Sequence, residues 1–219
     1  MSDYIDGYCE RVAPGLLGEP LNAITNLSFL LAALVLWRVA GRHGTRTDPV
    51  FLVPWGLLVA TGIGSLAFHT MANRFGAILD TAALSLCLLV TIWFGARRWL
   101  GWSWLAAALW PVGMVGAALL LGRHVPVGGA AYLGPFVTGA ALASLLMIRR
   151  HPAGRWVAAA VAVFVPSFIF RTLDMPLCGD WPVGTHFAWH LLNGMVLGLA
   201  IAPFAIRMSA GTNPSFTRH

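Results

Sequence analysis

Charge is scarce in this chain: 10% of its 219 residues are charged, while 58% are hydrophobic. An average soluble domain carries about 25% charged residues, so composition excludes a water-soluble globule. Lysine is absent altogether, and all 14 basic residues are arginines. They punctuate the apolar runs instead of gathering in one patch, so the net charge of +6 reads as topology signals and not as a nucleic-acid surface. Cysteine is rare, and three residues allow at most one disulfide. The stretch from Met1 to Glu19 is acidic and lacks the basic region of a cleavable signal peptide, so the first apolar run is expected to be retained as a helix. No internal repeat or low-complexity stretch is evident.

What remains is almost entirely apolar helix. Hydropathy places membrane spans at 21–40, 50–71, 76–96, 102–121, 129–148, 156–174 and 185–206. Seven spans of about 20 residues consume roughly 140 positions and leave only loops and two tails. The fold class is therefore all-α integral membrane: one seven-transmembrane helix bundle over 1–219, with an acidic tail at 1–20 and a second tail at 207–219. Pro54, Pro111, Pro135, Pro166 and Pro203 fall inside these runs and are candidate kinks. Trp99, Trp102, Trp104, Trp156 and Trp181 sit at run ends, as an aromatic belt would. Alternating the loops puts Arg38, Arg42, Arg46, Arg97, Arg98, Arg149, Arg150, Arg155, Arg207 and Arg218 on one side, ten of the 14 arginines. Arg11, Arg74, Arg123 and Arg171 fall on the other, with Asp3, Asp6, Glu10 and Glu19. By the positive-inside rule the N-terminus is outside and the C-terminus cytoplasmic.

An ionisable group inside a span is costly enough to be a functional candidate by default. The second run carries Ser65 and His69, four residues apart on one face, toward its outer end. Asp80 lies in the first turns of the third run, and His186 and His190 occupy the first turns of the seventh with the same four-residue spacing. Three separate helices thus deliver these groups to one depth near the outer surface. Two histidines at i and i+4 can bind one metal from a single face. A third imidazole from a facing helix completes the set found in catalytic zinc sites, with a fourth position left for water. Asp80 has three candidate roles: a fourth ligand, an orienter of a ligating histidine, or a general base. Ser65, one turn before His69, can hydrogen-bond a developing oxyanion.

Other residues read more blandly. His43, His124, His151 and His219 fall in loops or the tail and read as solvated. Gly194 and Gly198 continue the paired-histidine face, either for close helix packing or to leave room for an acyl chain. Arg171 and Asp174, at i and i+3, are expected to pair, as a structural contact first and a headgroup contact second.

These spacings resemble the alkaline ceramidase family, within a wider superfamily of seven-helix membrane hydrolases that includes the adiponectin and progestin receptors. The matching motifs are GSLAFH at 64–69, Asp80 eleven residues after His69, and HFAWH at 186–190. YCER at 8–11, EPLNAITNLSF at 19–29 and FRTLDMPLC at 170–178 favour the ceramidase branch. The resemblance covers essentially the whole chain. It implies His69, His186 and His190 as zinc ligands, Ser65 and Asp80 as catalytic groups, and a disulfide between Cys9 and Cys178. Cys87, within the third run, reads as a buried small apolar residue. Some members add an N-terminal calcium site, for which Asp6, Glu10, Glu19 and Asn22 still offer hard oxygens. The pattern departs from the family there, with Gly7, Tyr8 and Val12 at altered positions and a shorter interval from Glu10 to Glu19.

The expected function is a zinc-dependent intramembrane amidase that acts on ceramide or a related N-acyl lipid and releases a sphingoid base and a fatty acid. A receptor of the adiponectin type with a structural zinc is the rival reading, as is a hydrolase of another lipid amide or ester. A transporter is disfavoured, because the ionisable groups gather at one end instead of along a crossing. The expected partner is a lipid substrate, with neither nucleic acid nor a protein partner indicated. Exclusive use of arginine, with high Ala and Gly content, suggests a GC-rich bacterial genome, hence an inner-membrane protein whose site faces the extracytoplasmic side.

Overall fold

The computed structural model describes residues 4–208; Asp3, Arg218, His219 and the rest of the tail from 209 lie outside the described residues. Seven helices are long and apolar enough to cross a membrane: Pro20–His43, Pro49–Met71, Arg74–Trp99, Trp104–His124, Ala130–Ile148, Ala153–Leu173 and His186–Ala205. They are spans one to seven below. Each overlaps an expected run, and no strand occurs among the described residues.

Local chemistry explains the boundaries. Asp48 caps span two by accepting from the Val50 N–H at 3.0 Å, and Asn73 caps span three by accepting from the Gly76 N–H at 2.9 Å. Span four breaks after Ala107, the residue whose carbonyl would bond to position 111. Pro111 has no N–H to offer, so the kink follows from the sequence. Span one breaks at Asn26, whose side-chain amide donates to the Asn22 carbonyl at 2.8 Å and so replaces a helical donor. Pro54, Pro166 and Pro203, by contrast, lie inside continuous helices.

Small residues decide how closely the helices approach. A Cβ on Gly64 would lie 2.8 Å from the Leu79 carbonyl oxygen, so only glycine lets spans two and three touch there. That contact sets Ser65 beside Asp80. A Cβ on Gly194 would come within 2.7 Å of the Ser28 hydroxyl, and Gly198 faces Ala32, so both glycines serve packing against span one. The alternative, that they open space for an acyl chain, is not what the structure holds.

The largest apolar cluster includes Phe51, Leu58, Leu142, Leu146, Leu197, Ile201 and Phe204. Trp99 and Phe204 stack with ring centroids 4.6 Å apart. Trp99 is therefore a core residue and not part of a lipid-facing belt, whereas Trp104 and Trp181 are exposed. Cys87 is fully buried, as expected of a small apolar residue.

Candidate metal centre and active site

His69 ends span two, and His186 and His190 begin span seven. The three side chains are buried, and one nitrogen of each lies within 4.8 Å of the others, the only such metal-competent group among the described residues. Ser65 and Asp80 line the same small polar pocket of about 20 Å³ as His186 and His190. Tyr8, Tyr132 and Arg171 line it as well. The five groups expected to converge from three helices do so.

The hydrogen bonds around the cluster fix which ring nitrogens are free. Glu19 receives Arg11 Nε on one carboxylate oxygen and the Asn22 amide at 3.0 Å on the other. It therefore acts as an acceptor, and His69 must donate Nδ1–H to Glu19 Oε2 at 2.8 Å. The Thr25 hydroxyl gives its hydrogen to the Leu21 carbonyl at 2.7 Å, so His190 Nδ1–H donates to Thr25 Oγ1 at 3.2 Å. Two imidazoles thus present Nε2 toward the cluster. His69 Nε2 and His186 Nδ1 are buried with no hydrogen-bond partner. Sealed polar atoms of this kind are costly when left unpaired, and a divalent cation shared by the three rings would satisfy them. Burial, three neutral imidazoles and a carboxylate behind one of them fit zinc by donor type.

The N-terminal segment is not a solvated acidic tail. It is a strap folded over the cluster. Ile5 N–H donates to the Ala72 carbonyl at 2.8 Å, and Gly15 N–H to the Thr70 carbonyl at 2.7 Å. The Tyr8 ring stacks on His186 with centroids 4.1 Å apart. Cys9 and Cys178 form a disulfide with their Cα atoms 5.3 Å apart, tying the strap to the loop before span seven.

Three of the four residues expected to hold calcium, Glu10, Glu19 and Asn22, have hydrogen-bond partners within the chain. Glu10 accepts the Leu21 and Asn22 N–H groups at 2.7 and 2.8 Å, so it caps the first turn of span one. Glu19 faces Arg11, Asn22 and His69, and Asp6 is exposed. The Arg11 guanidinium, which also donates to the Ile5 and Phe68 carbonyls, already sits as a cation among these oxygens. Burial pushes the Glu10 carboxyl up from its ordinary range, opposed by the two helix N–H groups. It pushes Glu19 up too, opposed by Asn22 and Arg11.

Arg171 and Asp174 do not form the expected pair. Asp174 is fully buried, and its Oδ1 accepts the Thr185 and His186 N–H groups at 2.8 and 2.9 Å while Oδ2 accepts Cys9 N–H at 3.1 Å. It therefore caps span seven and fixes the turn that carries His186; it cannot touch a headgroup. Arg171 lies over the Tyr8 ring, 5.3 Å from its centroid, and faces the polar pocket.

A family model described as Ceramidase matches residues 6–216. The chain belongs to the ceramidase family. A relative from Drosophila melanogaster named alkaline ceramidase is 31% identical over 68 residues, a stretch that takes in 31% of this chain and 24% of that relative. The resemblance stated from the motifs is therefore upheld over nearly the whole length. Sequence reasoning missed the second tier of the site: Glu19 behind His69, Thr25 behind His190, and Tyr8 over His186.

Proposed function

We propose that this protein is a zinc-dependent amidase that hydrolyses the amide of ceramide, or a related N-acyl lipid, to a sphingoid base or amine and a fatty acid. Membership of the ceramidase family supports the substrate class. The observation that carries the chemistry is the buried cluster of His69, His186 and His190, with Ser65 and Asp80 lining the pocket beside it. Zinc held by these histidines would act as a Lewis acid and bring the pKa of a water toward about 7.

The chain's own groups account for the proton traffic. Asp80 takes a proton from the attacking water at its carboxylate, as the water oxygen bonds to the carbonyl carbon. Ser65 donates its hydroxyl to the carbonyl oxygen, where negative charge gathers. When the carbon–nitrogen bond breaks, Asp80 returns the proton to the leaving amine. Tyr8 and the strap keep bulk water from the cluster.

The distribution of arginines supports an orientation with the N-terminus and the site outside and the C-terminus cytoplasmic. It also suits an inner-membrane location. We take the seven spans as a single domain. A site just below the interface matches a substrate whose amide lies beneath its headgroup while its chains stay in the bilayer.

The test is release of sphingoid base from a ceramide mixture by the purified, zinc-loaded protein, followed by mass spectrometry, with His190→Ala in parallel. Release by the wild type alone supports the reading. No release from a folded protein that retains zinc would sink it and turn the search to other lipid amides, esters or a receptor role.

A further inference from the structure

Beside the polar pocket lies a cavity of about 90 Å³ that extends to Trp99, the last residue of span three. Leu84, Tyr132 and Trp189 line both, so the two spaces adjoin. The wall is mostly aliphatic and aromatic, as a hydrocarbon chain requires, with two buried polar exceptions, Thr91 and Asn193. Asn193 is its only carboxamide among the described residues, 4% exposed, with its amide nitrogen buried and unpartnered. An unpaired amide in an apolar space loses free energy that leucine, of similar volume, would not. Its presence there points to a ligand that brings the missing partner.

Asn193 lies three residues beyond His190 on span seven, about 4.5 Å further along the helix axis and close to the same face. A substrate with its scissile carbonyl at the histidines therefore meets this amide roughly three carbons down the chain that enters the cavity. In an N-acyl lipid the amine half carries the headgroup, whose polar groups suit the pocket at Arg171, so the chain in the cavity is the acyl chain. A hydroxyl both donates and accepts, so it pairs with the carboxamide whichever way that group is turned.

Resting on the amidase reading above, we propose that Asn193 is a specificity determinant that selects N-acyl lipids carrying a hydroxyl near carbon 4 of the acyl chain. The experiment compares two ceramides that differ only in that hydroxyl, using the zinc-loaded wild type, Asn193→Leu and Asn193→Ala. The wild type should favour the hydroxylated substrate by about tenfold in kcat/KM, and both variants should lose the preference. Asn193→Ala repeats the comparison with no added bulk should the leucine variant unfold. Equal rates on the two substrates in the wild type, or a preference kept in both variants, overturns the proposal.

The matching free fatty acids are measured as competitors of a bound fluorescent fatty acid in the same preparations. If no ceramide is cleaved, the amidase reading fails on its own. A hydroxy acid bound about tenfold tighter by the wild type alone would still uphold the role of Asn193, and equal binding would refute it.

Discussion

The two ends of the bundle are held together by different means. At one end Phe51, Leu58, Trp99 and Phe204 pack into an apolar core, and a partly exposed ion pair joins Arg98 and Asp48 at 2.7 Å. At the other, buried polar groups replace the core: Glu10, Arg11, Glu19, Asn22, Asp174 and three histidines, closed over by a disulfide-tied strap. Lipid tails are as apolar as leucine, so helices in a bilayer associate through packing and hydrogen bonds and not through a hydrophobic drive. Packing dominates one end and hydrogen bonding the other, although the packed end also holds a buried bond from the Thr45 hydroxyl to the Ala205 carbonyl at 2.7 Å. The packed end tolerates chemistry poorly but needs little precision in charge. At the polar end the two ring nitrogens left unpaired are those facing the candidate metal, and the Asn22 and Asn26 amide oxygens are unpaired as well.

The largest test of this contrast falls on the polar end. Glu19→Gln, combined with Arg11→Met so that no guanidinium is left buried alone, should weaken zinc binding roughly 10- to 100-fold, as loss of a carboxylate behind a ligating histidine does. Chelator competition reads the affinity, and unchanged binding would remove Glu19 from the site. At the packed end, Phe51→Ala should lower stability in micelles by about 2 kcal/mol, chiefly through lost packing, with zinc affinity unaltered. Denaturant unfolding followed by tryptophan fluorescence measures it. The smallest effect is expected of Arg98→Ala, below about 1 kcal/mol, because its ion pair is partly solvated. A larger loss there would mean that charge, too, holds the packed end.

The spans and the histidines were legible because each obeys a short-range rule. Hydropathy finds a helix from its own residues, and His186 and His190 declare a shared face by spacing alone. The misreadings arose where a residue's partner is distant in sequence. Glu19 looks like a calcium ligand or a solvated acid until His69, fifty positions on, is seen to donate to it. Asp174 has the spacing to pair with Arg171 on a helix, but the helix ends at Leu173 and the carboxylate turns to the start of span seven. The break after Ala107 could have been read from Pro111, whereas the break at Asn26 depends on a side-chain bond that no propensity encodes. Gly194 offered two meanings, and only its neighbour Ser28 decides between them.

The disulfide joins residues 169 positions apart, one before the first span and one just ahead of the last. It cannot close until six of the seven spans have been synthesised. Two of the three clustered histidines arrive later still, on the final helix. During synthesis His69 and its supporting carboxylate therefore wait in the membrane without a site to complete. A chain interrupted before the loop that carries Cys178 would display neither the bridge nor the cluster, and one interrupted between that loop and span seven could close the bridge but not the cluster.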